Sequence, residues 1–340
     1  MEGFPGTGRP RIAVVGCGAL GSYYGACLAR SGLDVRFLLR SDYEAVRRDG
    51  VRIESAHGGS FTVRPGVARE AGEIGPCDLV VIGLKTTANG ELGRLVSPLV
   101  GPGTALLTLQ NGLGNEEALA RLFGAERVLG GLCFVCLNRT APGVVRHLAH
   151  GRIVMGEMGR AATERAATVA GWFRAGGVPC EVTDHLEAAH WEKLVWNIPF
   201  NGLGVAGAAG YESVLAGRRM GTGPLGACLA TDVLLAEARW LALVRELMEE
   251  TLRAARAQGL GVPESAAGEQ IERTRQMGAY RASTLIDFER GLPLERESLF
   301  GEPLRRARAH GVEAPRLAAL HALLGELEQE RTRAGKAVDQ

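Results

Sequence analysis

Lys193, Asn197 and Asn201 stand four residues apart in the run Trp191-Glu192-Lys193-Leu194-Val195-Trp196-Asn197-Ile198-Pro199-Phe200-Asn201. At about 100° per residue the three cover roughly an 80° arc on one helix face. That stripe offers an ammonium and two carboxamides, flanked by apolar Leu194, Val195, Trp196 and Phe200. A cation able to give up a proton, beside amides that bind oxygens, is what reduction of a carbonyl requires near its substrate. Solvated Lys/Asn faces are common, so the stripe gains its weight from a second motif at the start of the chain.

Gly16-Cys17-Gly18-Ala19-Leu20-Gly21 is a G-x-G-x-x-G that follows a predicted strand and opens a predicted helix, the context that makes this pattern a dinucleotide fingerprint. The first glycine permits a tight turn, the second lets a pyrophosphate approach the backbone, and the third lets the helix pack on the strand. The phosphates then meet the helix N-terminus. An acidic residue about 20 positions further on marks NAD-binding forms. Arg40 occupies that place, 19 residues after Gly21, and its planar fork suits a 2′-phosphate. NADPH is therefore the expected cofactor, with Asp42 the nearby acid that argues for NADH. Two more strands end in polar residues: Asp78–Gly83 leads to Lys85, and Leu106–Leu109 to Gln110 and Asn111. Ligands of open α/β sheets bind beyond the carboxyl ends of the strands, so the glycine turn, Arg40, Lys85 and Asn111 should converge on one dinucleotide.

The elements that must position these groups alternate in the first half. Strands are expected at 12–15, 35–39, 78–83, 105–109, 127–136 and 179–182, with helices between them, notably 19–31 and 161–175. Residues 51–63, broken by His57-Gly58-Gly59, read as a hairpin, and 144–147 with 153–156 as another. After Thr183 the strand runs stop, and Ala, Leu, Glu and Arg recur at helical spacing, as in 234–258 and 305–327. The expected architecture is an α/β Rossmann-type dinucleotide-binding domain (1–183) followed by an all-α substrate and catalytic domain (184–340). The glycine-rich stretch from Tyr211 to Cys228 reads as a long flexible loop.

Composition narrows the functional classes. A chain of 340 residues with 46% hydrophobic and 23% charged residues and a net charge near +1 has the make-up of an ordinary globular protein, with no electrostatic case for nucleic acid or an anionic membrane. No apolar run reaches membrane-spanning length, and no charged n-region followed by an apolar h-region is read at the start, so no membrane or secretory route is expected. Residues 1–10 read as a loose tail. Seven scattered cysteines suit a reducing cytoplasm. Cys133 and Cys136 form a C-x-x-C in a strand pattern, where the two point to opposite faces. His147 and His150 lack a third ligand nearby and read as hairpin surface, so no metal site is expected. Asn138-Arg139-Thr140 is a glycosylation sequon by letter only. Ser283 and Glu295 lie in helical runs, where a cap and a solvated carboxylate are the ordinary readings.

Over nearly its whole length the chain resembles ketopantoate reductases (2-dehydropantoate 2-reductases). The likeness runs through the glycine fingerprint, Leu84-Lys85-Thr86, Gln110-Asn111-Gly112, the Lys193/Asn197/Asn201 spacing, Ser283 to Asp287 and Leu294 to Gly301. It implies Lys193 as general acid, Asn197 and Asn201 as substrate-binding amides, and Ser283 as a contact for the substrate carboxylate. Glu295 would line the closed site, touching substrate or cofactor. Lys85 and Asn111 would contact the cofactor, Asn111 nearest the nicotinamide, and Cys136 would offer backbone to it. The implied reaction is NADPH-dependent reduction of 2-dehydropantoate to (R)-pantoate, toward pantothenate, with the keto acid held between the two domains. A small-molecule 2-oxo acid is the partner expected, neither nucleic acid nor membrane, with a homodimer as an option for assembly. A paralogous reductase of another branched 2-oxo acid and a non-enzymatic NADPH sensor are the rival readings. The chain departs from the family where Tyr211 replaces a further substrate-contacting asparagine and Phe300-Gly301 replaces Asn-Gly. The 211–228 loop, with Tyr211, Arg218 or Arg219, is expected to fold over the cleft and replace that asparagine.

Overall fold

The computed structural model describes residues 4, 8–56 and 58–338. Most of the tail expectation, and His57 in the expected turn, lie outside them; Phe4 packs against Trp172 at 5.7 Å between ring centroids. Two compact units emerge, one of residues 1–110 and 114–186, the other of 111–113 and 187–340.

Among the described residues the first unit has ten strands: β1 (Arg11–Val15), β2 (Asp34–Leu38), β3 (Val51–Ser55), β4 (Phe61–Val63), β5 (Gly66–Ala68), β6 (Cys77–Ile82), β7 (Val100–Thr108), β8 (Val128–Ala141), β9 (Val144–Glu157) and β10 (Cys180–Val182). They form one sheet in the order β4-β3-β9-β8-β7-β6-β1-β2-β5, with β10 on β9. β1 lies between parallel neighbours β2 and β6. Its residues divide at period two: Ile12 and Val14 join one apolar core, Ala13 and Val15 another. Both faces are thus covered, which is why the run is apolar throughout. The helices Ala19–Arg30 and Glu164–Ala175 supply Tyr24 and Phe173 to the first core. Leu92 and Leu119 come to the second from Leu92–Val96 and Asn115–Phe123.

One expectation is corrected here. The segments 144–147 and 153–156 do not pair with each other. They are parts of a single strand, β9, whose antiparallel partner is β8. The intervening His-Leu-Ala-His-Gly, which reads as a turn, is accommodated instead by register shifts in the ladder, with His150 at φ 64° and Gly151 at φ 128°. A bulge kinks a strand without ending it. His147 is accordingly buried rather than at a hairpin surface. Its ring lies 4.7 Å from that of Tyr23, and its Nδ1 is 2.9 Å from Ser55 Oγ. The 51–63 hairpin is present as β3 and β4.

The second unit is helical. Its core gathers Trp191, Leu194, Val195, Ile198 and Phe200 from the helix Leu186–Ala206 with Leu243, Leu247, Phe300, Leu320 and Leu324. Ala238–Ala257 and Pro315–Val338 are its other long helices. The loop expectation for 211–228 is corrected in its first part only, as 217–228 carry no helix or strand. Tyr211–Ala216 is a helix ended by Gly217 in the left-handed region, and the remainder is tied down at intervals. Gly226 N donates to Ala208 O at 2.8 Å, Leu229 N to Gly204 O at 2.8 Å, and Arg219 N to Glu326 Oε2 at 2.8 Å. Gly217 marks a close approach, since a Cβ there would lie 2.8 Å from Ala319 Cα, whereas the positions at Gly221 and Gly223 are open.

Candidate active site

In the first unit the fingerprint glycines fall into three different surroundings. Gly16 leaves β1 at φ 91°, and a Cβ there would lie 2.3 Å from Leu84 N. At Gly21 a Cβ would meet Gly16 O at 2.3 Å, so the helix can approach its strand only without a side chain. Around Gly18 nothing stands within 4 Å of that position. Gly18 is the N-cap of Ala19–Arg30 and supplies no side-chain bond to it. The space beside Gly18 at the N-terminus of that helix is open, and a helix N-terminus with room beside it suits a pyrophosphate. Cys17 and Leu20 pack against the first core, and Ser22 Oγ donates to Cys17 O at 2.9 Å, bracing the turn. Burial, then the nearby Asp42 charge, pushes the Cys17 thiol far above its usual range.

Arg40 lies two residues beyond β2 with its side chain exposed. Asp42, by contrast, is buried and engaged. It accepts from Arg139 Nε at 2.9 Å, Gly143 N at 3.0 Å and Ser41 Oγ at 2.9 Å, and from Arg139 Nη2. Burial works against its ionisation, but these donors hold its carboxyl below the ordinary range. Lys85 follows β6 and is exposed at the start of the 3₁₀ turn Thr86–Glu91. That turn is fastened by a chain of amides: Asn89 Nδ2 donates to Asn115 Oδ1 at 3.0 Å, Gln110 Nε2 to Asn89 Oδ1 at 2.7 Å, and Thr108 Oγ1 to Gln110 Oε1 at 3.0 Å. Cys136 is half-buried in β8 at a register shift.

The second unit holds the Lys/Asn stripe, and Asn111 with it. Lys193 is half-buried, and its Nζ donates to Asn111 Oδ1 at 2.9 Å. Gly112, at φ 84°, lies so close to Ser298 that a Cβ would stand 2.3 Å from its carbonyl oxygen, and Leu113 N donates to that oxygen at 2.9 Å. The backbone of 111–113 is thus pinned to the segment after Glu295, which fixes the amide that meets the lysine. Asn197 and Asn201 are buried, with Asn201 Nδ2 3.5 Å from Asn197 Oδ1. Asn201 Oδ1 accepts from Thr284 N at 3.1 Å and from Ser283 Oγ at 3.4 Å. Ser283 is exposed and opens the helix Ser283–Glu289, whose N-cap is Ala282, so the cap reading of Ser283 gives way to a contact with the stripe. Glu295 is buried, and its carbonyl accepts from Leu299 N at 3.1 Å and Ser298 Oγ at 3.2 Å. Lys193 with Asn111, and Asn197 with Asn201 and Ser283, therefore form two hydrogen-bonded sets along one helix, an ammonium followed by amides and a hydroxyl.

The family departures have packing explanations. Phe300 is fully buried, and the helix carrying the stripe approaches it and Leu320 so closely that Gly202 could not carry a Cβ. Tyr211 packs edge-on against Trp240 at 5.2 Å, with the Arg239 guanidinium 5.3 Å from its ring centroid. Arg219 pairs with Glu330. Tyr211 and Arg219 are thus committed to packing and pairing inside the helical unit, against the expectation that they replace the absent asparagine. Sequence reading missed Asn89, Asn115, Arg139 and Ser298. Each acts through partners 20 or more residues away, or through its backbone carbonyl, and neither leaves a local pattern.

The profile described as "Ketopantoate reductase PanE/ApbA" matches residues 12–160, and that of its C-terminal region, "Ketopantoate reductase PanE/ApbA C terminal", residues 219–328. A 2-dehydropantoate 2-reductase of Nostoc sp. is 37% identical over 96% of this chain and 97% of its own length. One from Halobacterium salinarum is 33% identical over 90% and 94%. The crystal structure of 2-dehydropantoate 2-reductase from Geobacter metallireducens superposes with a TM-score of 0.83 at 46% identity, covering 94% of this chain and 99% of that one. With two profiles in succession along the chain and near end-to-end relatives, the chain belongs to the ketopantoate reductase family.

Proposed function

We propose that the protein reduces 2-dehydropantoate to (R)-pantoate with NADPH, and that Lys193 is its general acid. The observation that carries this reading is the pair of sets in the helical unit, where a half-buried lysine is held at 2.9 Å by Asn111 beside two buried asparagines and Ser283. The surroundings of Gly16, Gly18 and Gly21 fit a dinucleotide: two positions closed to any Cβ frame one that is open. The exposed Arg40 and the engaged Asp42 favour a 2′-phosphate over free ribose hydroxyls.

When bound, the cofactor supplies a hydride from the nicotinamide to the keto carbon. Lys193 meets the negative charge that develops on the keto oxygen and passes it a proton, giving the hydroxyl. Asn111 fixes Nζ, so little reorganisation is needed at the moment of transfer. Asn197, Asn201 and Ser283 bind the carboxylate and hydroxyl oxygens of the substrate, and the buried amides keep their direction without it because Thr284 N and Ser283 hold Asn201. Glu295 closes the site from the segment that also anchors Gly112 and Leu113. The test is cofactor oxidation with 2-dehydropantoate beside a panel of other branched 2-oxo acids. Highest kcat/KM for 2-dehydropantoate supports the reading; a decisive preference for another acid refutes the substrate, and no turnover with any refutes the enzyme.

A further inference from the structure

Asp42 stands two residues after Arg40, which occupies the place where NAD-binding forms of this fold carry the acid that holds the ribose hydroxyls. A carboxylate has about four lone-pair directions. All four are occupied here: Oδ1 by Ser41 Oγ at 2.9 Å and by Arg139 Nη2, Oδ2 by Arg139 Nε at 2.9 Å and Gly143 N at 3.0 Å. The acid nevertheless lies just past the carboxyl end of β2, the parallel neighbour of β1, whose own carboxyl end leads into the glycine turn. Arg139 forms the outer layer. Its side chain is 39% exposed, whereas that of Asp42 is 7% exposed.

We infer that Arg139 is a cofactor-specificity residue, which by saturating and covering Asp42 keeps that carboxylate from receiving the ribose hydroxyls of NADH. The inference rests on the NADPH reading and adds a second layer to it. Arg40 provides attraction for the 2′-phosphate, and Arg139 removes the feature that would reward its absence. Specificity commonly requires both an attractive element and one that works against the competitor. The ion pair also pins the turn that carries Arg40, because Ser41 and Asp42 follow it directly and Tyr43 N donates to Arg40 O at 3.4 Å. Arg139 reaches Asp42 across 97 residues of chain, so it touches specificity without belonging to the fingerprint.

The experiment titrates NADH and NADPH separately against the full chain, by fluorescence and without substrate. The proteins are the parent, Arg139→Met, and Arg139→Met combined with Asp42→Asn. Removing the guanidinium uncovers Asp42 and frees two acceptor positions. NADH should then bind about tenfold tighter, the scale of one charge-assisted hydrogen bond, and the added Asp42→Asn should abolish that gain. NADH affinity that is unchanged or weaker in Arg139→Met overturns the inference, as does a gain that survives Asp42→Asn. Should Arg139→Met fail to fold, Arg139→Lys withdraws one arm of the fork and must show the same direction with a smaller gain, or the inference fails. The parent's own ratio tests the NADPH reading independently: a parent that binds both cofactors equally sinks that reading, while the NADH change in the variant still reports on Asp42.

Discussion

Replacing Lys193 with alanine separates two contributions of one atom, a hydrogen bond and the proposed proton transfer. Nζ makes a 2.9 Å bond to Asn111 Oδ1 from a half-buried position. Losing a hydrogen bond to a charged group costs about 1.5–3 kcal/mol. Because Asn111 is itself only half-buried, water can serve its freed oxygen, which puts the folding cost toward about 1.5 kcal/mol. The catalytic loss is larger. A positioned acid contributes about 10²–10⁴ in rate, or roughly 3–5 kcal/mol of barrier. Lys193→Ala should therefore unfold only slightly earlier, bind NADPH like the parent, and lose at least about a hundredfold in kcat with 2-dehydropantoate. Lys193→Arg sharpens the test, since it keeps a positive charge but holds its proton at any working pH. It should recover folding stability and little of the turnover. Steady-state oxidation of NADPH, a cofactor titration and a melting curve on the three proteins suffice. Turnover of Lys193→Ala within a few-fold of the parent would refute the assignment, and full activity in Lys193→Arg would reduce the lysine to a fixed charge.

Arg40→Ala should weaken NADPH by about 1.5–3 kcal/mol and leave NADH nearly unchanged; equal losses for both in a binding titration would place the guanidinium elsewhere. Gly16→Ala, at φ 91° and 2.3 Å from Leu84 N, should cost the fold about 2–4 kcal/mol in urea unfolding. Gly18→Ala should fold normally and lose cofactor affinity, because only the cofactor needs that space; the reverse pattern would contradict the reading of the turn. Burial resists ionisation of Glu157, yet hydrogen bonds from Arg165, Thr163 and Arg160 hold its carboxyl below the ordinary 4.5. A depressed value in the folded state means the contribution is complete above pH 4.5 and is lost as pH falls through the folded value. Glu157→Gln should thus be less stable at neutral pH and lose less on acidification, and parallel stability profiles for the two proteins would rule this out.

Much of the fold was legible because its determinants are local. Ile12 to Val15 and Leu79 to Ile82 are apolar at every position, and a run that must face helices on both sides has no polar alternative. The glycine turn was legible for the same reason, as two of its positions exclude a Cβ whatever else the chain does. The 144–156 stretch misled because His147-Leu-Ala-His150-Gly151 has the composition of a turn, while β8 supplies a partner for it along both halves. Gly217 misled similarly. Flexibility in the unfolded chain and close approach in the folded one call for the same residue, and only the contact with Ala319 distinguishes them.

The candidate site divides along the same line. Lys193, Asn197 and Asn201 could be found because one helix imposes their spacing. Asn111 could be found too, but its local sequence points only to a strand end, and its pairing with Lys193 depends on residues 111–113 being drawn onto Ser298. Arg139 illustrates the limit most clearly. In sequence it is one arginine in a strand that also spells a glycosylation sequon, and Asp42 is an acid whose position suggests NADH. Only their meeting, with Gly143 and Ser41 filling the remaining acceptor directions, turns Asp42 from a candidate ligand into a strut. A residue's chemistry at a site is thus set by which of its hydrogen-bonding capacities the fold has already used, and that remainder can be counted from contacts but not from spacing.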